Sequence, residues 1–239
     1  MTRSVTTPLA ELAAASTAAA RIPEQHGLDY CCGGARPLEA AAREKGLDAA
    51  QVLSELENAQ PAAAEDRDWR TAPLRELVDH IVRTHHEYLK LNLPAFSSRM
   101  RKVCEVHGSK APEMLAALSD TLAGLRAEME EHMHKEELIL FPFIERYDHA
   151  ASQGLPMPPV PFGTIANPIR VMEREHDSAG DALRRLRDLT GGYGLPAWAC
   201  DTVRALWRGL EEMERDLHVH IHLENNILFP RAIALEAGA

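Results

Sequence analysis

HMHKEELILFP, residues 132 to 142, returns near the end of the chain as HIHLENNILFP, residues 220 to 230, so both have the form His-x-x-x-Glu-x-x-Ile-Leu-Phe-Pro. A histidine and a glutamate four residues apart share one face of an α-helix, one turn apart, and both can reach a single metal centre. His132 with Glu136 makes one such pair, and His220 with Glu224 makes the other. Two equivalent helices that each offer an imidazole and a carboxylate predict a shared two-metal site inside a helix bundle.

Outward from these motifs the duplication continues. RTHHEYL at 83 to 89 precedes the first copy and EREHDSA at 173 to 179 precedes the second, each with a histidine followed by an acidic residue. His86 lies 90 residues before His176, and His132 lies 88 before His220. Each half is therefore read as one helix with a single histidine followed by one with His-x-x-x-Glu. Together they supply His86, His132, Glu136, His176, His220 and Glu224. Four imidazoles and two carboxylates give two histidines per metal, and each glutamate has two oxygens with which to bridge the pair. An oxo or hydroxo bridge would bring each ion to five ligands and leave one octahedral position open. Mixed nitrogen and oxygen donors with open positions suit iron, with manganese close behind, better than a closed structural zinc site. Ferritin-like sites use Glu-x-x-His, three apart, so the spacing of four points away from ferritin.

Hydrophobic residues make up 45% of the 239 and aromatics 5%, with alanine, leucine and glutamate abundant, which favours an all-α fold. A formal charge of -10 argues against a nucleic-acid partner. No apolar run approaches the roughly 20 residues that cross a bilayer. Four cysteines, two of them adjacent, do not suggest a secreted disulfide framework, and a cytoplasmic location is the simplest expectation.

Residues 1–60 read as a small module. Pro8 opens a first helix that continues to Ile22 and Pro23; GLDYCCGG at 27 to 34 is a turn; a second helix covers about 37 to 45; Asp48 caps a third. Residues 61–72 are expected as linker and 73–232 as an antiparallel four-helix bundle. Its first helix carries a buried stripe from Leu74 to Leu89 and is expected to kink or divide at Pro94. The second runs from about Glu113 to Tyr147, the third from 167 to 190 and the fourth from 196 to 232. The proline-rich 150 to 166 is a crossover or a cover for the site. Phe141, Pro142, Phe229 and Pro230 read as packing and helix-ending residues.

Other histidines compete less well. His134 and His222 sit about 200° around the helix from His132 and His220 and should face away. His218 and His222, four apart, form a rival pair, and His85 could replace His86. Glu128 and Glu175 either line an access route or belong to solvated faces. Adjacent Cys31 and Cys32, flanked by Gly33 and Gly34, suit a redox or transfer thiol pair better than a structural zinc site. Cys104 and Cys200 read as small core residues.

The six-residue pattern resembles hemerythrin-like domains, and DYCCGG followed by DWRTAPL, HMHKEELILFP and HLENNILFP resembles the iron-sulfur cluster repair di-iron proteins of the ScdA/YtfE family. The resemblance implies a hemerythrin-like bundle holding two non-haem irons on the six residues above, with an ScdA-type module bearing Cys31 and Cys32. It implies repair of clusters damaged by nitrosative or oxidative stress, with damaged or apo iron-sulfur proteins as partners and nitric oxide or oxygen as small ligands. Nitric oxide reduction, or a carrier or sensor of nitric oxide or oxygen, is the alternative. A monomer or a homodimer is expected.

Overall fold

A computed structural model describes residues 3–59 and 67–238. Every regular element among them is a helix, and the single β-bridge, Pro8 to Pro37, ties two loops of the N-terminal module.

That module contains α1 (Leu9–Ala13), α2 (Thr17–Gln25), α3 (Leu38–Glu44) and α4 (Ala49–Asn58). The expected single first helix is two. Ser16 leaves the helical conformation, and its hydroxyl accepts from the Ala19 amide at 3.0 Å, so a polar cap restarts the chain after Ala15. Asp48 caps α4 through the Ala50 amide at 2.8 Å, as its position in the sequence predicts. Leu9, Leu12, Leu28, Tyr30, Leu38, Val52 and Leu56 form the module's own core.

The larger unit has four rods. The first is α5 (Leu74–Ile81), a π-helical turn (Val82–His86) and α6 (Glu87–His107). The second is α7 (Pro112–Lys135), a π-helical turn (Glu136–Leu140) and α8 (Phe141–Gln153). The third is α9 (Ala166–Leu189) alone; the fourth is α10 (Asp201–Leu223), a π-helical turn (Glu224–Leu228) and α11 (Phe229–Ala237). In the main contacts α7 lies on α9 and α6 lies on α10 and α7. The start of α5 lacks a side-chain cap of its own, and Asp148 of α8 supplies one to the Leu74 amide at 3.1 Å.

Pro94 does not divide its helix. It sits on the exposed face of α6 while Leu93 and Phe96 are buried, so the carbonyl it leaves without an amide partner faces water and the apolar neighbours hold the rod together. The interruptions fall instead at the three wide turns, where the amides of Glu87, Phe141 and Phe229 reach back five residues to Val82, Glu136 and Glu224. Pro142 and Pro230 follow two of these turns. A proline has no N–H to give and its ring crowds the carbonyl four residues back, and widening the preceding turn relieves both problems. Each of these prolines therefore starts a new helix, α8 or α11, and ends none.

Residues 60–66, which include the first half of the expected linker, lie outside the described residues. From Asp68 the chain forms a turn on the bundle: Arg231 donates to the Trp69 carbonyl at 2.6 Å, and the Trp69 ring stacks on His80 at 4.6 Å. The helix α8 runs past the expected end to Gln153 and stops at Gly154, which takes the left-handed conformation (φ 61°). In the connection that follows, Met157, Val160 and Phe162 pack on the apolar cluster that includes Leu140 and Ile144.

Two apolar layers fill the bundle. One includes Leu89, Leu93, Met129, Leu183 and Leu217; the other includes Leu77, Phe141, Met172, Ile227 and Phe229. Along each rod, the histidines and glutamates of the duplicated motifs fall where one layer gives way to the other.

Candidate metal centre

His86, Glu136, His176, His220 and Glu224 are wholly buried and His132 is nearly so. The side chains cross-pair between the two halves of the sequence. His86 Nε2 is 3.1 Å from His220 Nε2, and His132 Nε2 is 3.0 Å from His176 Nε2. Glu136 Oε2 lies 3.4 Å from His86 and 3.3 Å from His132, and Glu224 lies 3.0 Å from both His176 and His220. Two donor sets result: His86, Glu136, His220 and Glu224, and His132, Glu136, His176 and Glu224. The donor atoms of each set lie within 4.8 Å of one another, and both carboxylates belong to both sets.

This arrangement suits cations. Imidazole nitrogens aimed at one another at such distances are satisfied poorly by a single proton, and both oxygens of Glu136 and Oε2 of Glu224 are buried without a hydrogen bond. The outer nitrogens are orientated from behind. His86 Nδ1 meets Glu137 at 2.8 Å, His132 Nδ1 meets Glu175 at 2.9 Å and His176 Nδ1 meets Asn225 at 2.7 Å. With the proton held on Nδ1, each Nε2 lone pair faces inward, as a metal-binding imidazole requires. His220 differs: its Nδ1 has no partner, and the His85 ring stacks parallel to it at 5.6 Å. Phe141 stacks on His86 at 5.6 Å and Phe229 on His176 at 6.0 Å, so these motif phenylalanines pack directly on the rings.

The charges follow the contacts. Burial opposes a proton on His86, but the nearby carboxylates of Glu136, Glu137 and Glu224 outweigh it and raise its pKa to about 11. His132 rises to about 10 against the same burial, through Glu136 and Glu175. The hydrogen bond from His86, assisted by Lys90, holds Glu137 down at about 2, and the His132 bond with Lys135 does the same for Glu175.

The other expected residues have different places. His85 turns out of the centre to Asp216 at 2.8 Å, and His134 is exposed. His218 and His222 do not form a rival pair. His218 Nδ1 bonds Glu24 of the module at 2.8 Å; His222 is buried against the Tyr30 ring, centroids 5.2 Å apart, where burial lowers its pKa to about 4. Glu175 is the partner of His132, and Glu128 accepts from Ser178 at 2.9 Å. Cys104 packs beside the core, but Cys200 is exposed just before α10, 3.3 Å from His107 Nε2. The supporting carboxylate Glu137 and the amide Asn225 were missed from the sequence, as was the part Glu175 plays behind His132, although each adjoins a motif residue.

The N-terminal module lies on this part of the bundle. Asn226 donates to the carbonyls of Tyr30 at 3.3 Å and Cys31 at 3.2 Å, and Cys32 Sγ is 3.7 Å from the His176 carbonyl. Cys31 and Cys32 are free thiols with sulfurs 3.8 Å apart, and Asp29 accepts from the amides of Cys32 at 3.0 Å and Gly33 at 2.9 Å. The hydrogen bond with Cys32 and burial raise the pKa of Cys31 well above the usual thiol value.

Residues 77–232 match the hemerythrin HHE cation binding domain, and residues 5–60 match ScdA_N, a domain of unknown function. The iron-sulfur cluster repair protein YtfE of Citrobacter koseri is 40% identical over 229 residues, 96% of this chain and 97% of the relative. The chain belongs to the YtfE family of hemerythrin HHE proteins. YtfE of Escherichia coli O8 is 39% identical over the same shares, and that of Edwardsiella ictaluri is 41% identical over 228 residues, 95% of this chain and 96% of the relative. The motif resemblance to YtfE proteins thus extends through both the cysteine module and the bundle. Among the described residues no helix is long and apolar enough to cross a membrane.

Proposed function

We propose that this chain repairs iron-sulfur clusters damaged by nitrosative or oxidative stress, by donating iron from a buried two-iron centre to damaged or apo iron-sulfur proteins in the cytoplasm. The observation that carries the reading is the pair of donor sets that share Glu136 and Glu224, with both oxygens of Glu136 and Oε2 of Glu224 buried without a hydrogen bond. His86 and His220 would hold one iron and His132 and His176 the other, with both glutamates bridging. An oxo- or hydroxo-bridged iron pair would supply exchangeable metal, redox chemistry and open positions for nitric oxide or oxygen. The relatives are named as iron-sulfur cluster repair proteins, which supports this reading.

The chain's own residues set the terms of binding and release. Glu137, Glu175 and Asn225 keep three Nε2 lone pairs aimed inward, while the apolar layers exclude water. Glu136 and Glu224 each stand at the start of a π-helical turn, where a carboxylate can change its mode of contact without breaking a regular helix. Cys31 and Cys32 are assigned a thiol transfer role: Cys32 Sγ lies against the His176 carbonyl, Cys31 Sγ is 3.8 Å from Cys32 Sγ, and the raised pKa of Cys31 keeps that thiol protonated in the metal-free protein.

Protein purified without added metal is expected to hold about two irons per chain with oxo-bridged absorption. Anaerobic incubation with an apo iron-sulfur protein should move iron into the acceptor. Irons that stay bound throughout would refute donation. Glu136→Leu should lose at least one metal, and full retention in that variant would refute the assignment of the centre.

A further inference from the structure

A cavity of about 510 Å³ lies between the N-terminal module and the bundle. One wall is built from α1 and α2, mostly alanines; Arg67, Trp69 and His80 form another; Val219, His222, Leu223 and Ile227 of the fourth rod form the floor. Its size is that of pockets that take small organic molecules.

Its chemistry is selective. Two histidines that line it, His85 and His222, are more than nine-tenths buried, and in both Nε2 has no hydrogen-bond partner. An unsatisfied polar atom at such depth costs stability unless something fills the space and pairs with it. Asp216 accepts from His85 Nδ1 at 2.8 Å, so in the neutral ring Nε2 is left as an acceptor. An occupant with a donor would satisfy it. No acidic residue lines the cavity although the chain carries a net charge of -10, and Arg21 and Arg67 stand in its wall. A neighbouring cavity that shares Ala20, Arg21 and Val219 is by contrast lined by Glu24, Glu211, Glu212 and Asp216. Trp69 and Leu223 offer apolar faces.

We propose that this cavity binds a small organic anion that has an apolar body and an N–H, O–H or S–H donor. The apolar body packs on Trp69, Leu223 and the alanines, the anionic group meets Arg21, and the donor reaches His85 Nε2. The site is separate from the candidate metal centre but one ring away from it, since His85 stacks on His220.

The test uses the full-length, metal-loaded chain and calorimetric titration with anilinonaphthalene sulfonate, which combines an apolar body, an anionic group and an N–H. Its neutral parent, phenylnaphthylamine, is the control. Saturable binding of one sulfonate per chain is expected, with the neutral parent binding more weakly. Arg21→Ala, at an exposed position, should weaken sulfonate binding roughly three- to fivefold. Ala18→Leu, which fills the cavity, should abolish it in protein whose helix content and metal content are unchanged. Absence of saturable binding, equal affinity for the neutral parent, unchanged affinity in Arg21→Ala, or undiminished binding in a folded Ala18→Leu protein would each overturn the proposal.

Discussion

Glu175 is the clearest case of a residue that acts through another. It accepts from His132 Nδ1 and pairs with Lys135, so removing it leaves the imidazole free to turn or to change tautomer. Glu175→Ala should weaken metal retention by about 10- to 100-fold in a chelator competition. Its pKa is depressed to about 2, so in the metal-free protein its contribution to stability is complete above the unfolded value of about 4.3 and is lost as pH falls toward 2. Acid unfolding of metal-free Glu175→Gln should lack that part of the pH dependence. The cysteines separate in the same way. Backbone donation from Val203 and the His107 ring lower exposed Cys200 to about 7, whereas Cys31 is buried and raised. Iodoacetamide at neutral pH should modify Cys200 well before Cys31, as followed by peptide mass spectrometry.

At the scale of elements, packing decides what a helix position tolerates. Gly124 of α7 and Gly209 of α10 are both helical, and propensity alone makes alanine better by about 1 kcal/mol at either. A Cβ on Gly124 meets nothing within 4 Å, so Gly124→Ala should stabilise by nearly that amount. A Cβ on Gly209 would stand 2.4 Å from the Phe96 ring, where α10 approaches α6. Gly209→Ala should therefore destabilise by about 1–3 kcal/mol, the usual cost of overpacking, and thermal denaturation of the two variants should show opposite shifts. The wide turns belong to the same scale. The Phe-Pro after each His-x-x-x-Glu is a local signal for two of them, while the turn at Val82–His86 has no proline and no counterpart signal in the sequence.

In the whole molecule, the module and the centre are linked through one strip of the fourth rod. His218, His222 and Asn226 face the module while His220 and Glu224 face the bundle interior. Asn226→Ala removes the donor to the Tyr30 and Cys31 carbonyls, and hydrogen exchange at residues 28 to 34 should rise with metal content unchanged. Metal loading should also be coupled to protons. His86 and His132 are raised to about 11 and 10, so their protonated forms stabilise the metal-free fold below the unfolded value of about 6.5, and that stabilisation is lost as pH rises through 10 to 11. Metals need neutral rings, so loading at neutral pH should release protons and affinity should increase with pH. Titration in buffers of different ionisation enthalpy measures the release.

The all-helical class, the duplicated pairing of histidine with His-x-x-x-Glu and the family membership were legible in the chain, because the period of the helix and the spacing of metal donors are local properties. The sequence also marked Asp48 as a cap, but joined α1 to α2 and expected a kink or division at Pro94, since neither Ser16's cap nor the solvent-facing side of Pro94 shows in a pattern of apolar residues. Packing alone sets His86 against His220 and His132 against His176, stands Glu137, Glu175 and Asn225 behind the rings, and docks the cysteine module on His218 and His222. Those contacts join helices far apart in the chain, and their geometry is set by how the two apolar layers pack, which no local spacing records.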